Sequence, residues 1–206
     1  LSAGAKQVNG IKLTNETAKM FAAPTHTTQK HYSYVSNYGH ALAPYVLSLA
    51  LYVGALVFNF AYPIRKVSHK DGTPTQWFAS KVVLGGLVAI GMAVIEASLI
   101  ILGGLTVDHV GLFYALAIIF SITSMYFVMM LSMAFDNPGR FVAMIMLMLQ
   151  LGGAGGTFPL EITNSFYNAI HPFLPMSYSV LGFRQAITSG IYSGSVANCF
   201  GFLIGF

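Results

Sequence analysis

The sequence predicts an all-α membrane protein: a polytopic helical bundle of about five transmembrane helices with an interfacial amphipathic elbow. Three observations predict it. Hydrophobic residues make up 55% of the 206 residues and charged residues 8%, against roughly 25% charged in an ordinary soluble domain. Uncharged runs cover 41–62, 110–135, 141–160 and 185–206, and 82–107 contains only Glu96. Each suits the ~20 helical residues that cross a hydrocarbon core of ~30 Å, and is too long and too evenly apolar for a barrel strand of about 10 alternating residues. The run from Phe141 then stops in Gly152, Gly153, Gly155 and Gly156 followed by Phe158 and Pro159, which loosen and end a helix.

In chain order, residues 1–38 are expected to be the end of an extracellular helical stalk and its connector. Leu1, Ala5, Val8 and Ile11 or Lys12 stand near heptad spacing, a pattern a plain surface helix fits as well. Tyr32, Tyr34, Tyr38 and Tyr45 suit an aromatic belt. Residues 39–206 form the membrane domain, with spans at about 41–62, 82–107, 110–135, 141–158 and 188–206 and an elbow at 159–184. In the elbow, Ile162, Phe166, Ala169 and Ile170 share one helical face while Glu161, Asn164 and Asn168 fall elsewhere, the pattern of a helix lying in the interface. His171-Pro172 and Pro175 close it. Met176, Val180, Phe183 and Ile187 then recur at helical spacing beside Tyr178 and a lone Arg184. The last run reaches Phe206 without a polar flank, so that span is expected to be cut short.

Loop charges orient the bundle. Arg65, Lys66, Lys70, Lys81 and Arg140 gather on one side, against Arg184 alone on the other. This places the five-charge side in the cytoplasm of a plasma membrane and the N-terminal tail outside. The net charge of +4 is a topology signal, and no nucleic-acid partner is expected. The single cysteine, Cys199, allows no disulfide within the chain. Residues 1–30 hold no apolar signal core, so targeting information is expected upstream of Leu1.

Little chemistry is expected of these residues. The chain has no GxxxxGK[ST] phosphate loop, and the serine of Gly190-Ile-Tyr-Ser193-Gly194 is one place off a nucleophile elbow. His26 and His31 lack Cys or acid companions. No catalytic residue, cofactor or metal is assigned, and the chain is expected not to be an enzyme. Glu96, about fifteen residues into its run, admits two readings. It is either a pathway or coupling residue, or a helix-contact group bonded to Ser121, Thr123 or Gln150. Gly85, Gly86, Gly91 and the GxxxG pairs Gly190/Gly194 and Gly201/Gly205 suit close helix approach.

Three stretches, NYGHALAPYVLSLALYVGALVFNF from Asn37, LQLGGAGGTFPLEI from Leu149 and IHPFLPMSYSVLGFRQAI from Ile170, resemble the YhgE/Pip family of Gram-positive bacteria and, more broadly, the membrane domain of type 2 ABC exporters. The resemblance covers residues 35–206 and implies several things. The chain is the C-terminal part of a longer protein, with a homodimer as its assembly. Gly152, Gly153, Gly155, Gly156, Phe158, Pro159, His171, Pro172, Pro175, Tyr178 and Arg184 are its signature positions. The protein is a phage-infection receptor or is export-related, meeting a phage or other partner through an upstream extracellular region. Two alternatives are an accessory subunit of type VII secretion and an exporter permease driven by a separate ATPase. In that last case the loop from Pro63 to Ser80 docks the ATPase, although an ordinary basic connector explains it too.

Overall fold

The computed structural model describes residues 35, 37–67, 73–157, 162–188 and 193–206. The chain divides into two units, Leu1–Tyr32 and Ser33–Phe206, and all the described residues belong to the second. The expected stalk, Tyr32, Tyr34, His26, His31, Lys70, Phe158, Pro159 and Gly190 lie outside the described residues. Those described form helices and no strand: α1 Tyr38–Ala61, α2 Pro74–Leu102, α3 Val110–Phe135, α4 Asn137–Gly153, α5 Ser165–Ile170, a 3-10 turn at His171–Phe173, α6 Pro175–Thr188 and α7 Ser193–Gly205. By length and composition α1, α2 and α3 can each cross a membrane. At ~1.5 Å per residue, α4, of 17 residues, falls a little short of that.

Local chemistry sets the boundaries. Asn37 caps α1 through its side chain, which accepts from the His40 N–H. Thr73 and Gln76 form a capping box and Pro74 occupies the first turn of α2, so the helix begins eight residues before the expected 82. It ends at Leu102 and not at 107, because Gly103 and Gly104, the latter at φ +99°, turn the chain. The early start draws Lys81 into the helix. It is 4% exposed, its Nζ donates to the Tyr62 hydroxyl at 3.0 Å, and it lies over that ring. It is therefore a buried helix residue and not a loop charge.

α1 to α4 run alternately up and down, and "upper" denotes the end where α1 begins. The register is read from paired contacts. Ser121 donates to the Ala89 carbonyl and Tyr126 to that of Val82, tying α3 to α2. Tyr52 donates to the Ala143 carbonyl, tying α1 to α4. At the lower end α3 turns into α4 through Asp136, at φ +57°. Asp136 meets Arg65 at 3.4 Å and the half-buried Arg140 at 4.0 Å; the exposed Arg65 pair contributes little to stability by itself but marks where the connector after α1 passes.

The core sits on α3, whose Phe113, Leu116, Phe120, Met125 and Val128 are fully buried. α6 packs against it, with Phe183 edge-on to Phe113 and Leu116 filling the space over Gly182. The structure thus carries Met176, Val180 and Phe183, within the segment expected as elbow, and Ile187, just beyond it, into the core. α7 folds back antiparallel to α6, with Tyr178 stacked on Phe202 at 3.9 Å. Thr123 donates to the Leu203 carbonyl, fixing α7 to α3. Gly201 and Gly205 face open space, whereas Gly85 and Gly86 admit Met129 and Tyr126 of α3.

A Cβ at Gly139 would stand 1.9 Å from the Leu131 carbonyl oxygen, and one at Gly201 would meet nothing within 4 Å. Gly139→Ala is therefore expected to destabilise the domain by about 3 kcal/mol, the upper range for overpacking against rigid neighbours. Gly201→Ala should be neutral or slightly stabilising, by up to ~1 kcal/mol. Thermal unfolding in detergent micelles checks both, and equal effects would contradict the tight α3–α4 turn.

Candidate functional site

The elbow is the place where the chain leaves regular helix inside the bundle, and its exposed backbone carbonyls must find donors there. α4 ends as Gly152, Gly153, Ala154, Gly155 and Gly156 pass under the returning chain. A Cβ at Gly152 would lie 2.6 Å from the Tyr167 ring, and one at Gly156 would lie 2.1 Å from Tyr45. Gly155 sits at φ +65°, a region open to glycine. These positions bring the backbone close enough to be bonded. Arg184 on α6 donates to the Gly155 carbonyl at 2.8 Å and to that of Gly156 at 3.3 Å. His171 Nδ1 donates to the Gly153 carbonyl, and the Ser177 hydroxyl oxygen, 3.1 Å away, shares that N–H. Tyr178 donates to the Pro172 carbonyl. Pro175 starts α6 and is buried.

The two feet of the elbow meet: a Cβ at Gly153 would lie 2.5 Å from Leu174. Ser179 on α6 donates to Ser48 of α1 at 2.7 Å, ten residues into that helix and so ~15 Å below its start. The elbow therefore dips into the upper half of the bundle. Its short helix α5 buries none of its residues. Ile162, Phe166 and Phe173 stand outward, as do Asn164 and Asn168, while Tyr167 and Ile170 turn toward Gly152 and Gly153.

Beneath the elbow lies a buried polar seam that sequence reasoning did not single out. Gln150 Oε1 accepts the Met176 N–H at 3.3 Å, one of the first-turn donors of α6 that has no partner within its own helix. Gln150 Nε2 is buried and has no hydrogen-bond partner among the described residues. Ser48 accepts from Ser179 and donates to the Pro44 carbonyl. Ser48, Tyr52, Gln150 and Ser179 are all fully buried. The available signal was a lone amide in the uncharged α4 run and Ser48/Tyr52 one turn apart on α1. No group of three or more His, Cys, Asp or Glu able to hold a metal occurs among the described residues.

Glu96 stands apart from this site. With α2 ending at Leu102, it lies ~9 Å from the upper end, above the helix midpoint. It is half-buried and, among the described residues, has neither a hydrogen bond nor an ion pair. The expected partners are engaged elsewhere: Ser121 with Ala89, Thr123 with Ile119 and Leu203, and Gln150 with Met176.

A long-helix bundle broken once by a glycine-rich re-entrant elbow calls for comparison with membrane transporters, and the family model for ABC-2 family transporter proteins matches residues 2–206. The chain belongs to the ABC-2 transporter family. It is also 41% identical over 196 residues to the uncharacterized protein YhgE of Bacillus subtilis (strain 168), a match covering 95% of the chain and 25% of that protein. The chain thus spans about a quarter of the length of that relative. No solved structure matches. The resemblance drawn from the three sequence stretches holds, as does the all-helical membrane architecture: this is an ABC-2 transporter-type membrane domain related to YhgE.

In this ABC-2 domain Arg184 holds two elbow carbonyls from a partly buried position. Replacing it with Ala is expected to cost about 2 kcal/mol, the value of a hydrogen bond to a charged group, and to speed amide exchange at 154–157. Lys, with one compact donor head, should recover part of both. Exchange mass spectrometry of the three proteins checks this, and unchanged protection in the Ala variant would contradict the assignment.

Proposed function

We propose that the chain is the permease-like membrane domain of an export component in a plasma membrane. It works as a homodimer with a separate ATPase, and its lower end lies in the cytoplasm. The connector after α1 carries this reading. Within five residues it is pinned four times: Tyr62 lies under Lys81, Ile64 is fully buried, Arg65 meets Asp136, and the Lys66 carbonyl accepts from the Trp77 indole. A connector held this firmly passes a push at its tip into α1 and α2, and Arg65, Lys66 and Val67 stay exposed for a docking partner. The 206 residues carry no phosphate loop, so in this reading ATP hydrolysis takes place outside them. The cytoplasmic assignment is supported by Arg65, Lys66 and Arg140 at the lower end, with no Lys or Arg in the 103–109 turn.

A second reading rests on the chain spanning about a quarter of its relative. Here the domain anchors a larger surface protein that phage or a secretion machine recognises. An exporter should co-purify with an ATPase and lose activity when Arg65 and Lys66 are replaced by Glu. An anchor should tolerate those changes, and exchanging the remainder of the protein between homologues should transfer phage sensitivity. Accessory service in type VII secretion would show as co-purification with the secretion machinery.

Topology is tested in a Cys199→Ser background. A cysteine at Ser68 should be shielded from an impermeant thiol reagent in intact cells, and one at Asn168 should react. The reverse labelling would overturn the orientation.

A further inference from the structure

A groove of about 940 Å³ lies low on the bundle between α2, α3 and α7. Its long wall is α3 from Ile119 to Ala134, which at ~1.5 Å per residue runs about 22 Å along the helix. Trp77, Phe78 and Val82 of α2 face it near the lower end, and Leu203, Ile204 and Phe206 of α7 face it higher up. The few polar side chains in its lining are already engaged: Thr123 with Leu203, Tyr126 with Val82, Trp77 with Lys66. Phe78, Met130 and Ile204 at its rim are each more than half exposed, so the groove opens sideways into hydrocarbon. An apolar groove at membrane depth, with no free donor or acceptor to offer, takes acyl chains.

Trp77 marks the lower mouth. It is the single tryptophan of the chain, is half-buried, and its indole N–H donates to the Lys66 carbonyl at 3.4 Å. A tryptophan with its ring in an apolar groove and its N–H on a polar group suits the membrane–water interface. The bond also brings the backbone of Lys66 to the mouth. Lys66 is exposed and, among the described residues, has no carboxylate partner, whereas the neighbouring Arg65 is paired with Asp136. The positive end of the α2 backbone dipole, one turn before Trp77, lies at the same place. Around it, among the described residues, Arg65, Lys66 and Arg140 stand against the one carboxylate of Asp136. The apolar groove thus ends at an unbalanced positive charge.

We propose that this groove binds an anionic phospholipid, its acyl chains along α3 between α2 and α7 and its phosphate beside Lys66 and the start of α2. The volume lies near the upper end of the roughly 300–1,000 Å³ of small-molecule sites. Basic pockets between spanning helices recognise anionic headgroups through the same pairing of chains and charge. A zwitterionic lipid has the same chains but carries its own cation beside the phosphate, so it gains less from Lys66. An anionic lipid of either leaflet serves, so the site stands apart from the export reading and from the cytoplasmic assignment.

Because Trp77 is the only tryptophan, its fluorescence reads the groove alone. The full chain is reconstituted in phosphatidylcholine vesicles with rising fractions of phosphatidylglycerol or phosphatidylcholine that carry dibrominated acyl chains, since bromine quenches tryptophan on contact. Half-maximal quenching is expected at an about fivefold lower mole fraction of the brominated phosphatidylglycerol, which corresponds to the ~1 kcal/mol one Lys gains near an anionic surface. Lys66→Gln should bring the two curves together and Lys66→Arg should keep them apart. The indole bond is to a main-chain carbonyl and is available in both variants. Ala134→Phe, which narrows the lower mouth, should move both curves to higher fractions. Size exclusion and thermal melting check the folding of each variant. If Lys66→Gln fails that check, ~1 M salt, where the screening length falls to ~3 Å, should close the gap in the parent. Coincident curves in the parent would mean bulk lipid only, and a gap that persists in Lys66→Gln would mean a headgroup held elsewhere. Absence of quenching by either lipid would mean a groove covered by protein, such as a second copy of this chain. Each of these three results overturns the proposal.

Discussion

Hydrocarbon offers a peptide group no hydrogen bond, so each N–H and C=O at membrane depth must find its partner inside the protein. Regular helix meets this demand residue by residue. The elbow cannot, and the rest of the domain is arranged around that failure. Where α4 ends, the carbonyls of Gly153, Gly155 and Gly156 point into the bundle, and His171 and Arg184 reach back from later in the chain to take them. Both donors depend on α6 being tucked against α3 and α1, and Gln150 receives the first free N–H of that helix. Elbow, α6 and the end of α4 therefore form one hydrogen-bonded unit.

The glycines are what make those distances short. At Gly152 and Gly156 the neighbouring aromatic rings, Tyr167 and Tyr45, occupy the volume a side chain would need. Close approach and hydrogen bonding are here the same design, since a carbonyl can only be reached if nothing stands in front of it. The α2–α3 contact repeats the device more simply, with Gly86 admitting Tyr126 and the Tyr126 hydroxyl bonding the Val82 carbonyl one turn away.

Much of this was legible in the residues. The apolar runs located the helices, and Gly152 to Gly156 with Pro175 marked where the path would break. The depth of the break was not legible. Met176, Val180, Phe183 and Ile187 announced a helix face, but a face buried against lipid headgroups and one buried against Phe113 show the same periodicity. Only the tertiary fold-back of α6 distinguishes them. Lys81 misled for a related reason: charge suggested a loop, whereas the Tyr62 ring and hydroxyl shelter its ammonium inside α2. Ser48 went unremarked and Gln150 was read only as a partner for Glu96, because single polar residues in apolar runs gain meaning from what faces them. Glu96 was noticed for its charge, yet its level depended on Gly103 and Gly104 ending α2 early.

Several of the ties between helices run from a side-chain donor to a main-chain carbonyl: Tyr52 to Ala143, Ser121 to Ala89, Thr123 to Leu203, Tyr126 to Val82 and Arg184 to Gly155. A carbonyl is present whatever residue carries it. The accepting positions can therefore drift in sequence without loosening the bundle, provided the backbone stays reachable. Pairs of this kind leave no correlated substitutions between donor and acceptor, so methods that infer contacts from covarying columns will under-count the joints that hold this domain together.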